Sequence, residues 1–269
     1  MRQAIQDDLA AFGPFFAVRW HPPGTEPSPP WLALSDLTWQ PAPLRRRIGS
    51  ARAALAARAG RPEEQIEPRV AASVTQLGLA ARVIAPAVAA AAAGHRLDLP
   101  PGGLWWQDTR GGPVELSVPE PGRPPTAPRA AAGTDPGTDP GPPAGPDCLR
   151  VLDEVVAPLT EAVAGLVPVS PRVLWGNVAS AVNSAAVQVA AGRPDLSDRA
   201  WAVAAAFLAS PRLAREAQRL GPAFRRSSCC LIYKIAPGPT SGVCGDCVLF
   251  PVSRRGPGPA GNRRRGRSG

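Results

Sequence analysis

Between Pro119 and Asp147, fifteen of 29 residues are proline or glycine, and the stretch contains the small repeat GTDPGTDPG. It has almost no apolar side chain to bury, so it cannot offset the entropy lost on ordering. It reads as a disordered loop or linker, and any fold has to be assembled from what lies on either side. A second segment of the same kind closes the chain: Ser253–Gly269 holds six arginines and no acid.

The two flanks are well able to build a core. The 269 residues are 44% hydrophobic, which suits one large domain or two small ones. The formal charge is +9, and with the six tail arginines removed the remainder is only +3. The globular part is therefore not a broad nucleic-acid-binding surface, and the tail lacks interleaved aromatics for base stacking. No nucleic-acid partner is expected. Met1–Ala10 contains Arg2, Asp7 and Asp8 and no apolar run follows, so no secretory signal is expected. The longest uncharged apolar stretch, Val173–Gly192, is interrupted by asparagines, serines and a glutamine, so no transmembrane segment is expected either. These features imply a cytoplasmic protein. Five cysteines in a reducing compartment point to metal or redox chemistry more than to disulfides.

Periodicity predicts helices over Met1–Phe12, Leu44–Ala59 and Glu67–Ala93, the last divided or kinked at Pro86. A strand is expected within Phe15–Trp20. Leu104–Asp108 and Val114–Val118 read as two strands joined by a turn, with one of Trp105 and Trp106 facing inward and the other outward. After the linker, Leu149–Leu166 carries a helical stripe that Pro158 bends. Further helices are expected at Pro171–Ala191, Ser197–Ala209 and Ser210–Leu220. The fold class is mainly α (α+β), with few strands. The organisation is an N-terminal helical and strand part at 1–118, the linker at 119–147, a helical second half at 148–222, a cysteine segment at 223–252 and the disordered tail at 253–269.

The cysteine segment carries the chemistry. RRSSCCLIYKIAPGPTSGVCGDC places Cys229, Cys230, Cys244 and Cys247 in the form C-C-x13-C-x2-C. Four thiolates can hold a [2Fe–2S] cluster, two on each iron. Gly242 and Gly245 permit a tight chelating turn around the C-x2-C pair. Structural zinc is the alternative, but a four-cysteine zinc site usually uses two separated pairs. Adjacent cysteines in an extended chain point apart, which fits two irons better than one ion. Spacing alone leaves both open. Cys148 reads as a spectator thiol.

The whole string resembles the C-terminal cluster motif of the FhuF-like ferric-siderophore (ferric iron) reductases: an arginine pair, Cys-Cys, an aromatic three residues later, a glycine-rich turn and CGDC. LWGNVAS, Leu174–Ser180, is similar to a helix of actinobacterial members. The gap after Cys-Cys is longer than the usual family form, with the extra residues near 237–241. The resemblance implies a helical siderophore-binding domain and a [2Fe–2S] cluster on Cys229, Cys230, Cys244 and Cys247. It implies one-electron reduction of a ferric siderophore in the cytoplasm. Because no G-x-G-x-x-G follows a strand, an external low-potential donor of ferredoxin or flavoprotein type is expected. Arg225 and Arg226, just before the ligands, and Asn177, in a polar stripe with Ser180, Ser184 and Gln188, are candidate substrate or donor contacts. Two alternatives stand beside this reading. One is a structural-zinc module whose basic tail contacts nucleic acid. The other is an iron–sulfur electron carrier without a siderophore pocket. His21 and His95 have no ligand pattern nearby and read as surface residues.

Overall fold

The computed structural model describes residues 2–109, 113–120, 146–219, 223–235 and 244–249. The linker and arginine-rich tail expected from composition therefore lie outside the described residues, apart from the linker's ends: Pro119 and Glu120, and Pro146 and Asp147.

Eight helices are described: α1 (Arg2–Ala11), α2 (Asp36–Trp39), α3 (Pro41–Ala59), α4 (Pro68–Ala92), α5 (Pro146–Val151), α6 (Ala157–Leu166), α7 (Pro171–Gly192) and α8 (Ser197–Leu208). Three of the longest begin with proline, whose missing N–H would have no partner in a first turn anyway. α3 and α4 both end on a left-handed glycine, Gly60 at φ 62° and Gly94 at φ 78°. At each end a following amide reaches back over the last turn, Arg61 to the Ala56 carbonyl and His95 to the Ala90 carbonyl.

α4 is the centre of the molecule, packed chiefly against α7 and also against α3 and α8. Alanine and valine dominate the α4–α7 seam. Ala71, Ala72, Val83, Ala87, Val88, Val178, Ala179, Val182 and Ala186 are all buried, and small side chains let the two axes approach closely. Pro86 does not divide α4; the helix runs through it to Ala92. Proline removes only the bond to the Arg82 carbonyl, and the packed seam on both sides of Pro86 holds the helix together. α4 is long and apolar enough to cross a membrane, but 72% of its most apolar window is buried within the protein. It serves here as a core helix.

A four-stranded sheet lies against the bundle in the order β1 (Arg19–His21), β4 (Glu115–Pro119), β3 (Trp105–Gln107), β2 (Leu32–Ala33). β3 and β4 pair antiparallel, Trp106 opposite Leu116, as the alternation predicts. β1 pairs parallel with β4. Trp106 is buried and Trp105 half-buried. His21 is not a surface residue: it sits in the sheet with Nδ1 2.8 Å from Ser117 Oγ, and burial lowers its pKa. His95 is half-buried against the Asp8 carboxylate. Both histidines are structural.

Two further expectations need correction. The stripe over Leu149–Leu166 is not one bent α-helix. It is α5, a π turn at Leu152–Val156 and α6. The widening falls just before Pro158, which has no amide to continue the ladder. The expected helix at Ser210–Leu220 is a single turned segment followed by β5 (Ala217–Arg219), which pairs antiparallel with β6 (Arg225–Arg226). Antiparallel pairing with β6, six residues further on, overrides helix propensity at the end of that segment.

Sheet and bundle are joined by a buried cation. Arg82 on α4, 3% exposed, donates Nε to the Val114 carbonyl at 2.6 Å and Nη1 to the Phe15 carbonyl at 2.7 Å. It also bonds the Ala17 carbonyl. Burial pushes its pKa down to about 10, so it stays charged at neutral pH. We expect Arg82→Met to lower stability by about 3 kcal/mol, because each orphaned buried acceptor costs about 1–3 kcal/mol. A urea midpoint shift at unchanged m-value would measure it; an unchanged midpoint would mean the carbonyls find other donors.

Candidate metal centre

The cysteine segment docks where the N-terminal halves of α4 and α7 meet. β6 delivers the chain there, and Cys229 and Cys230 follow directly. The second pair arrives on a tight turn in which the Cys247 amide donates to the Cys244 carbonyl at 3.1 Å. Gly245 is exposed in that turn; Gly242 lies outside the described residues. The two pieces are stitched together by the Arg226 amide, which donates to the Asp246 carbonyl at 3.2 Å.

All four cysteines are free thiols, with Cys230 and Cys247 buried and Cys229 and Cys244 half-buried. They form two close pairs: Cys230 Sγ lies 3.4 Å from Cys244 Sγ, and Cys247 lies beside Cys229. Among the described residues no three Cys, His, Asp or Glu side chains converge on one point. Two pairs of sulfurs match the donor set of two irons better than that of a single tetrahedral ion. A thiol–thiol hydrogen bond holds Cys230 down, to about 6, and pushes Cys244 up. Burial pushes Cys229 up to about 11. A metal would replace these protons.

Backbone amides point at the sulfurs. Leu231 N–H donates to Cys229 Sγ at 3.3 Å and Leu249 N–H to Cys247 Sγ at 3.4 Å, and the Ile232 amide bonds Cys230. In each case the donor lies two residues after the cysteine. On the Cys-Cys arm this depends on Leu231, which adopts φ 70°. That left-handed conformation is costly for a leucine, but it helps turn successive amides toward one side, as in an anion-binding nest. Such N–H···S bonds stabilise negative charge on thiolate.

The floor of the site is polar and buried. Ser73 Oγ on α4 donates to the Cys230 carbonyl at 2.9 Å. Asn177 on α7 is fully buried. Its Nδ2 donates to Ser73 O at 2.9 Å, Ser73 Oγ at 3.1 Å and Gln76 Oε1 at 3.0 Å, while its Oδ1 accepts from Arg226 Nη2 at 2.6 Å. Gln76 in turn donates to Thr160 Oγ1 at 3.1 Å. Ser180, one turn beyond Asn177, bonds the Asp246 carboxylate.

The expected site residues therefore separate. The cysteines lie in one region as two pairs, Cys230 with Cys244 and Cys229 with Cys247. Asn177 touches the cysteine segment through Arg226, and both are interior: Arg226 is 1% exposed, so its guanidinium is turned away from any external chelate. Arg225 is half-buried in β6. Of the polar stripe on α7, Asn177 and Ser180 face the cysteine segment, whereas Ser184 and Gln188 are exposed. Sequence reasoning missed Ser73, Gln76, Thr160 and Asp246. The signal available was the presence of Ser73 and Gln76 three residues apart on an otherwise apolar helix.

Gly176 explains why a glycine precedes Asn177. A Cβ at that position would lie 2.3 Å from Ser228 Oγ and 3.1 Å from Arg226 Nη2. Ser228 is held there by its bond to the Arg172 carbonyl at 2.6 Å, so it cannot move away freely. We expect Gly176→Leu to shed the cofactor at least tenfold faster while the helical CD signal at 222 nm is kept. Equal retention would show that the cysteine segment does not need this close approach.

Residues 226–249 match the FhuF 2Fe–2S C-terminal domain. No curated protein and no solved structure matches the chain. The match spans both cysteine pairs and the Arg226 anchor. The likeness of this segment to that domain supports FhuF-like family membership, and its cofactor is a [2Fe–2S] cluster.

Proposed function

We propose that this protein reduces ferric iron bound in a siderophore, one electron at a time, and that Cys229, Cys230, Cys244 and Cys247 are the cluster ligands. The observation that carries the reading is the FhuF 2Fe–2S domain match over residues 226–249, together with the two sulfur pairs inside it. Cys230 and Cys244 would share one iron, and Cys229 and Cys247 the other. The bound cluster supplies reversible one-electron transfer.

The protein's own residues do the rest. The amides of Leu231, Ile232 and Leu249 and the buried floor hold the sulfurs in place and limit water. The half-buried Cys229 and Cys244 mark the edge at which an electron enters and leaves. There a ferric chelate gains one electron and the protein is oxidised by one. Ferric iron is held tightly by hard oxygen donors and ferrous iron weakly, so the reduced metal dissociates. An external low-potential carrier of ferredoxin or flavoprotein type, working in the cytoplasm, restores the electron. Arg225 is the remaining candidate contact for an anionic chelate, since Arg226 is interior.

The described cleft between α2 and α6, lined by Leu34, Thr38, Trp39, Glu154, Pro158 and Leu159 among others, includes no residue of the cysteine segment. The substrate is accordingly expected at the outer edge of the cluster and not in that cleft.

Mixing anaerobically reduced protein with a ferric siderophore and a ferrous trap tests the reading. Cluster absorbance should recover while one ferrous ion is trapped per chain. Absence of reoxidation by any ferric chelate would reject the reductase assignment. Replacing any one of the four cysteines by serine should remove or severely weaken the visible spectrum, whereas Cys148→Ser should leave it unchanged.

A further inference from the structure

Arg226 is an unusual buried cation. It is 1% exposed, and among the described residues it forms no ion pair with a carboxylate. Its hydrogen bonds go to neutral acceptors, Asn177 Oδ1 at 2.6 Å and the Val173 carbonyl at 3.1 Å, and its Nε has no partner. Burying a charge costs several kcal/mol unless an opposite charge answers it. Glu216 lies in its field without bonding it: burial raises the Glu216 pKa, Arg172 and Arg226 oppose that rise, and its Oε2 has no hydrogen-bond partner. Arg82, the other buried arginine of α4 and α7's neighbourhood, is spent on three carbonyls and joins the sheet to the bundle; Arg226 has no comparable structural set of acceptors.

Arg226 is linked to the cysteines through Asn177 and Ser73, whose Oγ donates to the Cys230 carbonyl. Its positive charge favours the thiolate at both Cys230 and Cys244, the close pair, and at Cys244 it works against the Asp246 carboxylate. Its backbone is tied to Asp246 in the turn that carries Cys244 and Cys247. We propose that Arg226, aimed by Asn177, sets the reduction potential of the cluster: its buried charge stabilises the extra electron that the reduced form carries. This rests on the ligand set proposed above and goes beyond it, because it assigns to an interior residue the driving force of the reaction.

The aim is built into the helices. Three acceptors surround Asn177 Nδ2, so the amide cannot invert without facing them with its oxygen. Its Oδ1 is thereby fixed toward Arg226. Gln76 is oriented the same way by Thr160, whose hydroxyl donates to the Val156 carbonyl at 2.7 Å. Gly176 leaves the room that Arg226 Nη2 occupies. A low-dielectric site with fixed dipoles makes one charge count for far more than it would in water. The reduced cluster has one more negative charge than the oxidised cluster, so a fixed cation favours reduction.

Dye-equilibrated redox titration of the cluster-loaded full chain, read by its visible and EPR spectra, tests this. Arg226→Gln should lower the equilibrium constant for reduction at least tenfold, which is ~59 mV for one electron. Arg226→Lys, which keeps the charge, should stay within threefold of the parent. The Gln effect should be equal at low and high salt, because a buried charge is poorly screened. Asn177→Asp is the second variant. It can still accept from Arg226 but neutralises it, and should lower the constant in the same direction. The potential is read on whatever fraction retains cluster, so partial loading does not hide the result. An unchanged potential in Arg226→Gln or Asn177→Asp, or an equal fall in Arg226→Lys, would overturn the proposal. If the parent protein instead lacks two irons and two sulfides per chain, the ligand assignment fails and the role of Arg226 falls with it, whereas a shifted or unshifted potential in a protein with both bears on Arg226 alone.

Discussion

The hydrogen bond from Arg226 Nη2 to Asn177 Oδ1, 2.6 Å long, is the innermost of the contacts that join the cysteine segment to the helical bundle. The cysteine segment is short, poor in regular structure and rich in polar backbone. Its own apolar contribution to the core is small: Phe224 is buried, while Leu231, Ile232 and Ile235 pack only partly against it. Its position is instead fixed by directed polar contacts: Arg226 to α7, Ser73 to the Cys230 carbonyl, Ser180 to Asp246 and Ser228 to the Arg172 carbonyl. Buried polar networks of this kind specify one arrangement when fully satisfied and are costly when broken. That suits a site whose sulfurs must hold their spacing in two charge states.

The helical bundle is the platform for this network. α4 and α7 are long, rich in alanine and close together, and each contributes polar residues at one end of an otherwise apolar seam. Ser73 and Gln76 on α4 meet Asn177 on α7, Ser180 on α7 holds Asp246, and the valines and alanines beyond them form the dry core. The same two helices thus provide both hydrophobic stabilisation and the orientation of the site. α6 takes part through Thr160, and so the segment before the second half's longest helix is also tied to the cysteines.

Much of this was legible from local pattern. The four cysteines are recognisable by type and spacing, and the long helices by period. β3 and β4 are recognisable by alternation, and the LWGN string by resemblance. What local pattern does not carry is partnership across the chain. Arg226 and Asn177 are 49 residues apart and Asn177 and Ser73 are 104 apart, so an arginine beside a cofactor motif reads as an outward substrate or donor contact until its burial is known. Ser210–Leu220 has helical residues throughout, but the pairing of β5 with β6 decides its end. Pro86 has the chemistry of a helix breaker, and only the packing around it keeps α4 whole. Gly176 is typical of these cases: nothing in its neighbours announces that Ser228 and Arg226 occupy its missing side chain.

The arrangement also separates the roles of the two sulfur pairs. Each pair has one buried and one half-buried member, so each iron would have one ligand facing the core and one facing outward. An anomalous difference map at the iron edge, from crystals of the cluster-loaded protein, tests this most directly. The account predicts two iron peaks, one between Cys230 and Cys244 and the other between Cys229 and Cys247, with Arg226 still bonded to Asn177. A single peak equidistant from all four sulfurs, or one iron shared by the adjacent Cys229 and Cys230, would contradict it.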